Sequence, residues 1–166
     1  MTSPNLSERQ VHISRVINAP REVVYRAWTD PEMLKRWYAP HGCEFHLVRM
    51  DLRTGGEFHH CIRNPNFKDC WILGEFLEVD PPNQFSYKTT FSDEAGSRLS
   101  PVEAGREPEW PQEVTTTVSF EDLGDRTRVT IHQTVSEEFA KQTGAHPSWL
   151  QMLDRLELTL DSAESL

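Results

Sequence analysis

The sequence runs to 166 residues, 37% hydrophobic and 26% charged, the balance of an ordinary globular domain. Its 26 acidic against 17 basic side chains leave a net charge of −9, which argues against nucleic acid and anionic membrane surfaces, because a phosphate layer demands basic groups. No apolar run approaches the roughly 18 residues of a membrane helix, and one domain of this length buries roughly 70% of its unfolded surface.

In chain order, Met1–Gln10 is polar, lacks the apolar core of a secretory signal, and reads as a tail over residues 1–9. Gln10–Ile17 alternates Val11, Ile13 and Arg15 against His12 and Ser14, a first strand. Pro20 then opens a helix with Val23, Val24, Ala27 and Trp28 on its buried side. Asp30-Pro31-Glu32 restarts it as a second short helix anchored by Met33, Leu34 and Trp37 and ended by Pro40 and Gly42. Glu44–Leu52 is the next strand, closed by Thr54-Gly55-Gly56. Glu57–Arg63 puts Phe58, His60 and Ile62 on one face and Glu57, His59, Cys61 and Arg63 on the other.

Cys70–Asp80 is a further strand stopped by Pro81-Pro82, and Gln84–Phe91 lines up Phe85, Tyr87, Thr89 and Phe91. Residues 92–112 carry enough proline and glycine to read as a long loop, a kind of segment that is often functional. Glu113–Glu121 and Arg126–Val135 form a hairpin through Leu123-Gly124-Asp125, with Val114, Thr116, Val118, Phe120, Val129, Ile131 and Gln133 inward. Pro147–Ala163 is the one long amphipathic helix, with Trp149, Met152, Leu153, Leu156 and Leu160 at i, i+3, i+4, i+7 and i+11. The expected architecture is therefore α+β in a single domain over 1–166. A curved antiparallel sheet of six to seven strands, with two short helices after the first, is covered by the long C-terminal helix.

Certain stretches, in this order, resemble a known family. They are Asn18-Ala19-Pro20-Arg21-Glu22-Val23-Val24-Tyr25-Arg26-Ala27-Trp28-Thr29-Asp30-Pro31, Trp37-Tyr38-Ala39-Pro40, Gly55-Gly56-Glu57-Phe58, and Gly74-Glu75-Phe76-Leu77-Glu78-Val79-Asp80-Pro81-Pro82. Trp110-Pro111, Thr127-Arg128-Val129-Thr130 and Leu153-Asp154-Arg155-Leu156 complete the set. Together they resemble bacterial homologues of the heat-shock-protein-90 ATPase activator, within the START-like, birch-pollen-allergen-like superfamily. The resemblance implies a helix-grip fold with a pocket between sheet and helix; members of the superfamily bind hydrophobic small molecules, and some are cyclases or other enzymes.

The expected function is binding of a small hydrophobic or aromatic ligand, since aromatic walls with a few polar groups are what such a cavity needs. The expected wall is Trp37, Phe58, His60, Phe76, Tyr87 and Trp110, with Trp149, Met152 and Leu153 from the helix. The plainer alternative is that these rings are simply core. A cyclase-like or hydrolase-like enzyme using His60 or Glu78 is the second hypothesis, although no partner acid is evident by spacing. Chaperone regulation is the third. The eukaryotic activators carry an additional N-terminal domain for which this sequence has no room, which makes that contact doubtful.

No cofactor motif is present. His59, Cys61 and Cys70 could approach one point, but they lack the paired spacing of a zinc site, and His59 and Cys61 are expected on the exposed face. A Cys61–Cys70 disulfide is sterically conceivable. With Cys43, however, the three cysteines are expected as free thiols in the cytoplasm. A homodimer stays open, because the charged outer face offers no apolar patch that argues for one.

Overall fold

A computed structural model describes residues 9–164; most of the expected tail over 1–9 lies outside the described residues. The chain lays down β1 (Gln10–Ile17), α1 (Arg21–Thr29), α2 (Pro31–Trp37), β2 (Glu44–Met50), β3 (Glu57–Arg63), β4 (Cys70–Asp80) and β5 (Gln84–Ser92). It continues with β6 (Arg98–Leu99), β7 (Val114–Asp122), β8 (Thr127–Ser136), α3 (Glu137–Thr143) and α4 (Ala145–Glu164). The sheet is antiparallel in the order β1-β8-β7-β5-β4-β3-β2, with the two-residue β6 added beside β5. α1 and α2 thus carry the chain from one edge of the sheet to the other, and the remaining strands meander back until β8 meets β1.

Alternation decides which residues face inward. Phe58, His60 and Ile62 stand opposite Gly74, Ile72 and Cys70, and those in turn border Tyr87 and Phe91 through Phe76 and Ile72. α4 crosses this inner face with the expected stripe: Trp149, Met152, Leu153, Leu156 and Leu160 are all buried. The helix begins two residues earlier than the Pro147 start, leaving Pro147 within the first turn, where its missing N–H costs nothing.

Local chemistry explains the joints. Asp30 ends α1 and caps α2, its carboxylate accepting the Glu32 N–H at 2.9 Å. The sequence pattern does not separate α3 from the strand before it. It starts where the Ser136 hydroxyl accepts the Phe139 N–H and stops at Gly144, whose φ of 87° is the left-handed stop that permits a sharp turn into α4. α1 buries Val24, Tyr25, Ala27 and Trp28, while Val23 stays 42% exposed. Tyr25 therefore takes the place of Val23 in the inward stripe, and its ring meets Phe85 and Phe120 edge-on.

One further expectation needs correction, and two points left open by the sequence take definite places. His59 and Cys61 do point to the outer face, but they are buried there. The turn between β5 and β6 folds over His59, whose Nε2 lies 3.2 Å from the Asp93 carbonyl and 3.2 Å from Ser92 Oγ, and whose ring packs on Trp71. Register places Cys61 opposite Trp71 and Cys70 opposite Ile62, so the two thiols lie on opposite faces and cannot pair or share an ion with His59. Among the described residues no cluster of three His, Cys, Asp or Glu side chains could hold a metal. Glu78 is exposed and accepts from Gln84 Nε2, because a bulge between Phe76 and Glu78 sends it outward while Val79 pairs with Phe85.

Arg155 locks α4 to the rest. It lies off the apolar stripe yet does not simply face water. One guanidinium nitrogen donates to the Ala39 carbonyl at 2.5 Å and the Pro40 carbonyl at 3.3 Å, the other to the Arg36 carbonyl at 3.2 Å. A cation over the C-terminal carbonyls of α2 suits the negative end of that helix. Replacing Arg155 with Ala is expected to cost about 1–3 kcal/mol in urea unfolding. Arg155→Lys should recover only part of it, because an ammonium lacks the planar fork. Unchanged stability in both variants would make the clamp incidental.

Candidate functional site

Between the sheet and the first turns of α4 lies an open chamber of about 710 Å³, within the range of small-molecule sites. One wall is the inner sheet face, including His60, Ile72, Tyr87 and Thr116; a second is α4, through Ser148, Trp149 and Met152. The third is the segment expected as a long loop, which supplies Gly105, Arg106, Trp110 and Pro111. Trp110 holds that wall in place: its ring meets Phe91 and Phe139 edge-on, and its indole N–H donates to Glu107 at 3.0 Å.

Behind the chamber sits a smaller apolar hollow of about 40 Å³, lined by Trp28, Leu34, Phe45, Phe58, Phe76 and Phe85 among others. Tyr38, His60 and Tyr87 line both spaces and so form the partition between them. The tyrosine hydroxyls lie 3.2 Å apart. Phe58 can lie flat on the floor because residue 74 is glycine: a Cβ there would fall 2.0 Å from Phe58 Cζ.

The expected wall residues separate into three groups. Tyr87, His60, Trp110, Trp149 and Met152 line the chamber, and Phe58 and Phe76 line the hollow. Trp37 and Leu153 line neither. Both are fully buried, Trp37 with its indole N–H donated to the Ala27 carbonyl. Tyr38 was not singled out by the sequence pattern, although it stands in the Trp37-Tyr38 pair. Trp37 is the last residue of α2, and Tyr38 caps it with φ −82° and ψ 57°, leaving the helical path and aiming its ring elsewhere. Adjacent aromatics at a helix end, one inside and one past it, are the signal that could have marked it.

Burial sets the electrostatics. His60 is 7% exposed, stacks on Phe58 at 5.6 Å, and makes no side-chain hydrogen bond among the described residues. Desolvation, with a smaller contribution from His59, lowers its pKa to about 3, so the imidazole is neutral near pH 7. Burial pushes both phenols up. For Tyr38, its neighbour Tyr87 adds to the effect; for Tyr87, hydrogen bonds from Tyr38 and Thr116 offset part of it. The Cys70 thiol on the chamber wall is also raised by burial, against an opposing pull from Arg106. The partition of Tyr38, His60 and Tyr87 is thus a neutral, donor-bearing aromatic surface, and His60 is too weak a base for general-base work near neutral pH.

The sequence profile described as activator of Hsp90 ATPase homolog 1-like protein matches residues 18–161. Among curated proteins none matches the chain. Solved structures share the fold at low identity. An Arthrobacter aurescens protein has TM-score 0.79 and 19% identity over 96% of this chain and 90% of its own. A Mycobacterium smegmatis protein has 0.78 and 22% over 95% and 94%. A Silicibacter pomeroyi protein, named for the same activator family, has 0.72 and 16% over 93% and 99%.

Two measurements check this geometry. The ordinary histidine value is 6.5 and the folded value about 3, so between them the unfolded chain binds the extra proton. The stability tied to a neutral His60 is therefore fully present above about pH 6.5 and is lost as pH falls toward 3. His60→Phe should reduce the pH-dependent loss in urea unfolding by up to about 1.4 kcal/mol per pH unit within that window; parallel pH profiles for the two proteins would contradict a neutral His60. Gly74→Ala should force Phe58 off the floor at a cost of about 1–3 kcal/mol, and a variant as stable as the parent would show that Phe58 does not lie there.

Proposed function

The chain belongs to the activator of Hsp90 ATPase homolog 1-like family, and from that premise we propose that it is a binding protein for a small hydrophobic or aromatic molecule held between the sheet and α4. One observation carries the reading: a chamber of about 710 Å³ remains open beside a helix whose apolar stripe is otherwise fully packed. A solid core would close it with side chains, as interiors pack to crystal-like density. Its aromatic residues Tyr38, Tyr87, Trp110 and Trp149 supply apolar contact, and Arg106 lines the loop wall. No helix among the described residues is long and apolar enough to cross a membrane.

The catalytic alternative draws no support from the carboxylate it invoked, since Glu78 is exposed on the outer side of the bulge.

Native mass spectrometry and a thermal-shift screen against lipids, flavonoids and aromatic polyketides test the proposal. A ligand at a hundredfold excess over its Kd should stabilise the fold by about 2.7 kcal/mol, a rise of roughly 5–10 °C in Tm. Trp149→Ala, with its cooperative melt retained, should weaken that response. Absence of any adduct and of any shift across the screen would leave the chamber without a ligand and end this reading.

A further inference from the structure

We propose that the ligand is an uncharged ring compound bearing an oxygen that accepts hydrogen bonds, a ketone, quinone or phenol, seated with that oxygen against Tyr38, Tyr87 and His60. The inference deepens the binding function above and rests on it.

Counting protons leads there. The Trp149 indole N–H donates to Gln133 Oε1 at 3.0 Å, and Gln133 Nε2 donates to Thr116 Oγ1 at 3.1 Å. Thr116 stands opposite Tyr87 in the sheet register, and the Tyr87 hydroxyl lies 3.2 Å from the Tyr38 hydroxyl. Tyr87 and Tyr38 hold two hydroxyl protons but share only one link. However the hydroxyls rotate, one O–H has no acceptor among the described residues. His60 adds to the imbalance: it is more than nine-tenths buried, and its ring nitrogens make no hydrogen bond among the described residues although the ring lines both spaces. A neutral imidazole offers one donor and one acceptor.

Buried polar groups are seldom left unpaired. A ketone or quinone oxygen accepts from the spare O–H and from the imidazole N–H together. A phenol accepts from the first and donates to the second nitrogen. An ionised group fits poorly at this point, because the partition holds no counter-charge and an unpaired charge loses its hydration there. A carboxylate would instead be drawn to the loop wall, where Arg106 lies over Phe91 at 5.8 Å. The Trp28 indole N–H, a buried donor with no partner among the described residues, lines the hollow behind.

Four probes on the full chain separate these cases by calorimetry and thermal shift: naphthalene, 2-naphthol, 2-acetylnaphthalene and 2-naphthoate. Naphthol and acetylnaphthalene should bind at least about tenfold tighter than naphthalene, with naphthoate no tighter than naphthalene. Tyr87→Phe and His60→Phe, each melting cooperatively, should erase that advantage when each probe is compared with naphthalene on the same variant. Equal affinities in the parent, an advantage that survives both variants, or naphthoate binding tightest and lost in Arg106→Gln would each overturn the assignment while binding itself stands. The same holds if none of the four binds but another class in the broader screen does. Silence from every compound in both experiments removes the binding function as well.

Discussion

The structure depends on a mismatch of widths. Seven strands spaced about 4.8 Å apart make a sheet roughly 29 Å across, whereas a helix with its side chains is only about 10–12 Å wide. One helix cannot cover that inner face. α1 and α2 take part of the remainder, wedging Trp28 and Trp37 together at 4.6 Å, and the clamp from Arg155 to the carbonyls of residues 36, 39 and 40 keeps them against α4. What the helices leave uncovered becomes the chamber. The cavity is thus a product of how the sheet is roofed, and no residue was needed merely to hollow it out.

That origin explains why the site is divided as it is. Side chains beneath the middle of α4 and the α1–α2 corner, such as Leu153, Leu156 and Trp37, close into fully dry core. Those beyond the helix start, such as Tyr87 and Thr116, border open space. The polar chain from Trp149 through Gln133 and Thr116 runs along this boundary. Neutral hydrogen-bonding groups suit that place: they tolerate partial burial where an ionised group would not.

Much of this was legible in the sequence, and the rest failed for identifiable reasons. The stripe of α4 and the inward sets of β3, β5, β7 and β8 follow from periodicity, which is strong wherever one face is dry and the other wet. The burial of His59 was hidden because what covers it is a turn, Asp93–Ser97, whose path no alternation encodes. Val23 and Tyr25 exchanged roles because a nine-residue helix is short enough for either stripe to look plausible. Glu78 was undecidable until the bulge was located, since one added residue reverses every face after it. For the site, residue type identified the aromatic wall, but only tertiary placement could tell Trp37, packed inside, from its neighbour Tyr38 on the partition. Distinguishing core from wall needs to know where a helix ends in space, and the sequence encodes only where it ends along the chain.

The third wall is made differently from the other two. Residues 100–113 contain no strand, so apart from anchors such as Trp110 this side of the chamber is not bound into the ladder that holds the sheet. Its length and side chains are therefore free to vary without breaking a single strand pairing. A fold built this way has a fixed chassis and an interchangeable panel: grafting a longer, shorter or more polar segment between β6 and β7 would recut the cavity while leaving every strand pairing in place.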